Sequence, residues 1–353
     1  MKPIYIPGFP GSKIHLDNRH FLYFGGTSYL GIQTLPEFQQ LLIDEIRQYG
    51  TNYGASRISN IRLEIYNKTE EYLSKWVGSE ASIVLSSGFL AGQLLARYFN
   101  PKDYKLFYST HTHASLYSDD REAYANYVVL RKELIDYLNS NDKRTPVVLL
   151  DTIDFSSGAF PKFKGLNDLP LDSCIVIADD SHGIGLVGTE GSGSFRQLKE
   201  MLPMELLVCS SFGKTMGVQA GAVFGTSSRL DALRETSLYI GASPPAPALM
   251  STLLKAAPIY AAQRSILFAL LEKFHNSLNH PEKFRYMHRY PVYESDDHKL
   301  SAYLSKEGIF VTDFDYPAEI DSWQCRLVIN AQHGPDDIST LAEKINSYYS
   351  LHS

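Results

Sequence analysis

The 353-residue chain has little cysteine, only Cys174, Cys209 and Cys325. They are odd in number and far apart, and they match no metal-ligand spacing. A disulfide framework and a cysteine-built metal site are thereby excluded, and a reducing compartment is expected. Two of the three lie inside apolar runs, as inert buried thiols do. Long apolar runs are lacking too: none approaches the ~18 residues of a membrane helix. The opening Met1-Lys-Pro-Ile-Tyr-Ile-Pro-Gly8 has no apolar stretch of the signal-peptide kind. We therefore expect a soluble, cytoplasmic protein. Blocks of like charge are missing as well. The 33 Lys and Arg residues face 39 Asp and Glu, a formal net charge of -6. That leaves no electrostatic footprint for nucleic acid or a membrane surface. Internal repeats and low-complexity tracts are also lacking.

What is present suits a globular core: 44% hydrophobic and 20% charged residues, with 23 Tyr and 18 Phe for core and pockets. At roughly 100–200 residues per domain, the length implies two domains, or one large one with appendages. Residues 1–33, rich in Gly, Pro and aromatics, read as an N-terminal arm of short strands and turns. Residues 34–247 read as a large domain and 248–353 as a smaller α+β one. Thr34-Leu-Pro-Glu37 has the form of a capping box opening a helix that Gly50 stops. A second helix carries Leu63, Tyr66, Thr69, Leu73 and Val77 on one face, with Gly78 behind it.

Short apolar runs then alternate with helical stretches. They are Ile83–Leu85, Leu106–Tyr108, Tyr127–Leu130, Val147–Leu150, Ile175–Ala178, Leu206–Cys209 and Ala220–Phe224. Most alternate too little for a half-exposed sheet. The fold class is therefore α/β, with a mainly parallel seven-stranded sheet between helix layers. Past Ala242-Ser-Pro-Pro-Ala-Pro247 a long helical stretch runs from about Ala248 to Leu278. Strands are expected near Tyr290–Glu294, Ile309–Thr312 and Cys325–Ile329. A final helix opens at Pro335-Asp-Asp, with Ile338, Leu341, Ala342, Ile345 and Tyr348 inward.

Ligands of open α/β sheets sit beyond the carboxyl ends of strands, and several polar clusters follow strands directly. Gly213-Lys214-Thr215 resembles the end of a Walker A loop, but Val208 stands where its first glycine belongs. Ser211-Phe-Gly-Lys214 fits Ser-x-x-Lys without the partner motifs of penicillin-recognising enzymes. Lys214 can also be an exposed loop lysine, or a desolvated lysine that attacks an aldehyde. Asp179 at the end of Ile175–Ala178 is a cap or turn residue, or a carboxylate facing a pyridine nitrogen. His182 follows three residues on. His111 and His113 have metal-ligating spacing, but no third ligand is near; an imidazole can instead stack on an aromatic ring. Ser87, Gly88 and Phe89 stand where helix amides can take an anion. Arg326 heads an apolar strand and pairs with a local acid or grips a carboxylate.

The ordered set Gly54-Ala-Ser-Arg57, Ser86-Ser-Gly-Phe89, His113-Ala-Ser115, Phe155-Ser156, Asp179-Asp-Ser-His-Gly183, Ser211-Phe-Gly-Lys214-Thr-Met-Gly217 and Arg326…His333 resembles one family. It is that of the pyridoxal-phosphate-dependent α-oxoamine synthases, which include 8-amino-7-oxononanoate synthase and 2-amino-3-ketobutyrate CoA ligase. The resemblance runs from about Tyr29 to the end of the chain. It implies a fold-type-I transferase, pyridoxal 5'-phosphate as cofactor, and a homodimer with the active site near the subunit interface. It implies an acyltransferase condensing an α-amino acid with an acyl-CoA; an aminotransferase or lyase of the same fold is the alternative. Lys214 would form the Schiff base and move protons, Asp179 would pair with the ring nitrogen, and His182 would bond the ring hydroxyl. His113 would stack on the ring; Ser87, Gly88, Phe89 and Ser211 would hold the phosphate. Ser156 would lie near the ring, and Arg326 would hold the amino-acid carboxylate. Tyr66 and Ile240-Gly241 depart from the family pattern.

Overall fold

The computed structural model describes residues 4–16, 19–100, 102–110, 112–118, 122–154, 160–297, 299–313 and 325–352. The chain divides into two compact units. One is Gln40–Ala257; the other joins Met1–Gln39 to Pro258–Ser353.

The chain begins in the second of these units with an antiparallel pair, β1 (Lys13–Leu16) and β2 (Arg19–Phe24). Helix α1 (Pro36–Tyr49) starts one residue later than the Thr34 capping box implied. Ile32–Thr34 is instead one 3-10 turn behind Gly31, and the Thr34 hydroxyl accepts from Gln332 Nε2. With its oxygen taken from the side, Thr34 does not serve as the helix cap.

In the larger unit, α2 (Glu64–Val77) ends at left-handed Gly78, as the sequence indicates. The strands that follow are β3 (Ala81–Leu85), β4 (Tyr104–Tyr108), β5 (Thr145–Asp151), β6 (Ile175–Asp179), β7 (Glu205–Ser211) and β8 (Gly221–Gly225). They form one sheet in the order β3-β8-β7-β6-β5-β4. β4 to β7 run parallel, and β8 is antiparallel to both of its neighbours. Among the described residues this sheet has six strands, not the expected seven. The missing run, Tyr127–Leu130, opens α4 (Tyr127–Leu138), where the Asn126 side chain accepts from the Val129 N–H at 3.0 Å. Tyr127, Leu130 and Leu134 are buried at helical spacing, while Val128 points to solvent. A strong cap and a 3.6-residue period overrode the strand propensity of the Tyr-Val-Val run.

The sheet core is largely apolar. Ile83, Leu106, Val147, Leu149, Ile175, Ile177, Leu207 and Val223 pack with Leu94 and Leu95 of α3 (Gly88–Tyr98). Full burial of each such side chain contributes about 1.5–3 kcal/mol. The unit is completed by α5 (Phe195–Glu200), α6 (Ser227–Arg234), α7 (Ser237–Gly241) and α8 (Pro247–Lys255). The long helix expected from Ala248 is two: α9 (Ala257–Ser277) follows a break at Ala256. Pro258 has no N–H with which to continue the α8 ladder.

The rest of the smaller unit holds β9 (Arg285–Tyr286), β10 (Val292–Ser295), α10 (Leu300–Lys306), β11 (Ile309–Val311), β12 (Cys325–Val328) and α11 (Pro335–Leu351). β10 pairs antiparallel with β9 and β12, and β11 pairs parallel with β2. Residues near the N-terminus thus supply two of the three strands of the β1-β2-β11 sheet, which is separate from the β12-β10-β9 sheet of the same unit. In α11 the expected residues face inward, and Asp337 accepts from the Gly334 N–H at 2.8 Å. All three cysteines are buried and free, and no described helix is long and apolar enough to cross a membrane.

Candidate active site

The carboxyl ends of β4, β5, β6 and β7 converge at one sheet edge, where ligands of open α/β sheets bind. Each end carries polar groups. Asp179 closes β6 and is buried. Its Oδ1 accepts the Ser181 N–H at 2.9 Å, and its Oδ2 accepts the Ser115 hydroxyl at 3.1 Å.

Asp180, the next residue, does different work. It is fully buried, and accepts from the Thr152 hydroxyl, the Ser194 N–H at 2.8 Å and the Ser194 hydroxyl at 3.1 Å. Burial, only partly offset by these donors, pushes its pKa up to about 6. A side chain at Gly183 or Gly193 would overlap the Asp180 carboxyl. Asp180 therefore ties down the turn that carries His182.

Lys214 follows β7. Its Nζ lies 2.9 Å from His182 Nε2. Desolvation pushes its ammonium pKa down, and the charges of Asp179 and Asp151 partly oppose that shift. Destabilising the ammonium favours the free amine, which is the form that attacks an aldehyde. The Ser211 N–H donates to the Ser181 hydroxyl at 2.9 Å, which fixes the β6 and β7 ends to each other.

His113 sits on the turn after β4. Its N–H donates to Asp151 Oδ1 at 3.0 Å. Its Nδ1 accepts the Ser115 N–H at 3.1 Å and lies 2.9 Å from the Ser115 hydroxyl. That network assigns the neutral tautomer with its proton on Nε2. Burial, the leading cause, pushes the imidazole pKa down and so keeps it neutral.

Ser87 caps α3, its hydroxyl accepting the Leu90 N–H at 3.1 Å. The amides of Gly88 and Phe89 then belong to the first turn, which has no intrahelical partners. A Cβ on Gly88 would overlap Ser211 Cβ, so only glycine lets α3 start against the end of β7. The Phe89 ring is 56% exposed, and what it offers the cradle is its backbone N–H. Ser211 lines the other side, its hydroxyl accepting the Gly213 N–H at 3.3 Å.

The structure thus brings together Ser87, Gly88, Phe89, His113, Asp179, His182, Ser211 and Lys214. Ser156 and His111 lie outside the described residues. Arg326 belongs to the other unit, on β12. There its Nε and Nη2 donate to Glu294 Oε1 at 2.9 and 2.6 Å. Sequence reasoning missed Asp151, and it gave Ser115 no role. Among the described residues, no group of three or more His, Cys, Asp and Glu could hold a metal ion.

These residues fit pyridoxal phosphate. A helix N-terminus cleared of side chain by Gly88 suits a phosphate. A desolvated lysine suits an aldehyde, and a buried carboxyl suits a ring nitrogen. Comparison with known proteins agrees. Residues 27–345 match the family model Aminotransferase class I and II, and the chain belongs to that family. A serine palmitoyltransferase of Bacteriovorax stolpii is 25% identical, over 94% of this chain and 83% of that one. An 8-amino-7-oxononanoate synthase of Aliivibrio fischeri is 26% identical, over 94% and 90%. Among solved structures, the serine palmitoyltransferase of Sphingomonas wittichii has a TM-score of 0.79 at 17% identity, covering 97% of this chain and 90% of that one. An SPT with PLP gives 0.80 at 18%, covering 99% and 92%. The fold is therefore that of the fold-type-I transferases. The enzyme is a pyridoxal-phosphate-dependent transferase, similar to the α-oxoamine synthases.

Proposed function

We propose that this enzyme is an acyltransferase that condenses an α-amino acid with an acyl-CoA thioester, in the manner of 8-amino-7-oxononanoate synthase. The observation that carries the reading is the strand-end cluster, in which a desolvated Lys214 meets His182 beside the buried Asp179. The names of the relatives support the acyl-transfer chemistry. When bound, pyridoxal phosphate supplies an electron sink for negative charge at the amino acid's α-carbon. Lys214 would anchor the cofactor and then serve as the base at that carbon. Its lowered pKa brings it nearer the range in which a lysine can act as a base. Asp179 would hold the proton of the ring nitrogen. His182 would hydrogen-bond the ring hydroxyl, with Ser156 nearby. His113, fixed by Asp151 and Ser115, would cover one ring face. Ser87, Gly88, Phe89 and Ser211 would bind the phosphate, and Arg326 would take the substrate carboxylate in an orientation set by Glu294. We expect a cytoplasmic homodimer with its site near the subunit interface.

The test is thiol release from a panel of acyl-CoAs, each with glycine, alanine and serine. Release with any pair is the expected result. A second reading, favoured by the aminotransferase description of the family model, is an aminotransferase or lyase without CoA. No thiol with any pair, together with amino transfer to a keto acid, would establish it instead.

A further inference from the structure

β5 and β6 are parallel neighbours, and their register sets Asp151 directly beside Asp179. Adjacent strands stand about 4.8 Å apart, and residues in register leave the sheet on the same face. Two carboxyl groups therefore share one partly dry edge, where ionising both would set like charges side by side. Their hydrogen bonds differ. Asp179 accepts a donor on each oxygen, from Ser181 and Ser115, the pattern of a carboxylate. Asp151 accepts the His113 N–H on Oδ1, which leaves Oδ2 as the place for a proton.

We propose that Asp151 is a positioning residue that works in its protonated form, anchoring the His113 turn while Asp179 serves as the anion of the pair. The groups that face Asp151 agree with this assignment. Burial first and the Asp179 charge second push its pKa well above the usual carboxylate range, and Asp154 adds to that. The His113 N–H and Lys214 pull the other way without reversing it. Tyr117, whose hydroxyl is pushed up to about 12, adds no charge near neutral pH. The neutral form has a consequence for Lys214. Both carboxylates would stabilise its ammonium if ionised, so a proton on Asp151 leaves the lysine freer to lose its own. This deepens the cofactor-site reading above, and part of its test needs no cofactor.

The experiment compares wild type, Asp151→Asn, Asp151→Ala and Asp180→Asn. In cofactor-free protein at pH 8, the infrared spectrum of the wild type should show a carboxylic-acid carbonyl band. The band should vanish in Asp151→Asn and survive in Asp180→Asn, because Asp180 titrates near 6. A wild type without the band, or an Asp151→Asn protein that keeps it, overturns the proposal. In the cofactor-loaded protein, Asp151→Asn should move the pH transition of the visible absorption band by less than about 0.3 unit. A fall of about one unit or more would reveal a lost anion and count against it. Asp151→Ala, with no acceptor for the His113 N–H, should weaken cofactor binding about tenfold, and Asn should restore it. Equal weakening in both variants also overturns the assignment. Should Asp151→Asn not fold, the wild-type and Asp180→Asn infrared spectra still decide. Failure to bind pyridoxal phosphate at all would instead strike the cofactor-site reading and leave the infrared result standing.

Discussion

The strand-end cluster of the larger unit and the β10–β12 pair of the smaller unit treat charge in opposite ways. On β10 a buried Glu294 is matched by two arginines: Arg326 at 2.6 Å and Arg285 at 3.7 Å. At the β5 and β6 ends two carboxyls stand side by side, and the nearby Lys214 is desolvated. The first arrangement lowers its own free energy and needs no ligand to do so. The second is unfavourable as it stands, and a bound molecule with a cationic ring and an anionic tail would relieve it. Perturbed titratable groups mark working sites for this reason. Asp179 and Asp180 repeat the lesson at adjacent positions, one aimed at the site and the other locked to Thr152 and Ser194.

The sharpest break in the comparison is Lys214→Ala. It should abolish the visible band of the cofactor-loaded protein and any borohydride-reducible bond between protein and cofactor. A reducible bond surviving in that variant would remove Lys214 from its role. Next comes Asp180→Ala, which leaves three buried donors on Thr152 and Ser194 without an acceptor. Urea unfolding at pH 8 should show a loss of about 3 kcal/mol. The folded pKa of about 6 lies above the ordinary 3.8, so the folded protein holds an extra proton between those values. The associated stability is complete below about 3.8 and is lost as pH rises through about 6. Asp180→Asn should flatten that part of the stability–pH curve.

Gly88→Ala should cost about 1–3 kcal/mol by overpacking against Ser211, and should weaken cofactor binding. Phe89→Ala, at an exposed side chain, should change stability by less than about 0.5 kcal/mol. On the matched side the expected effect is also modest. Glu294→Gln should cost about 1 kcal/mol in a thermal or urea melt, because both arginines are around 40% exposed and solvent screens them. It should leave the absorption of the bound cofactor unchanged. A large spectral change in Glu294→Gln would erase the contrast between the two regions.

Much of this was legible in the chain. Six strands announced themselves because runs such as Val147–Leu150 and Ile175–Ala178 are apolar on both faces and end in a polar turn. Lys214, Asp179 and His182 were legible because each follows a strand directly. Tyr127–Leu130 misled because its β-branched pair outweighed a cap that only the Asn126 geometry reveals. Asp151 was hidden for a different reason. Its partner lies 28 residues on, and only the register of two parallel strands brings them together. Ser115 is likewise ordinary until the turn after β4 folds it toward Asp179.

The contact between Gly88 and Ser211 has a mechanical side. It seats the first turn of α3 on the last residue of β7, three residues before Lys214. The groups suited to a phosphate and the group suited to an aldehyde therefore ride on one strand end. The span that the cofactor would bridge is therefore set by one contact inside the fold, between Gly88 and Ser211.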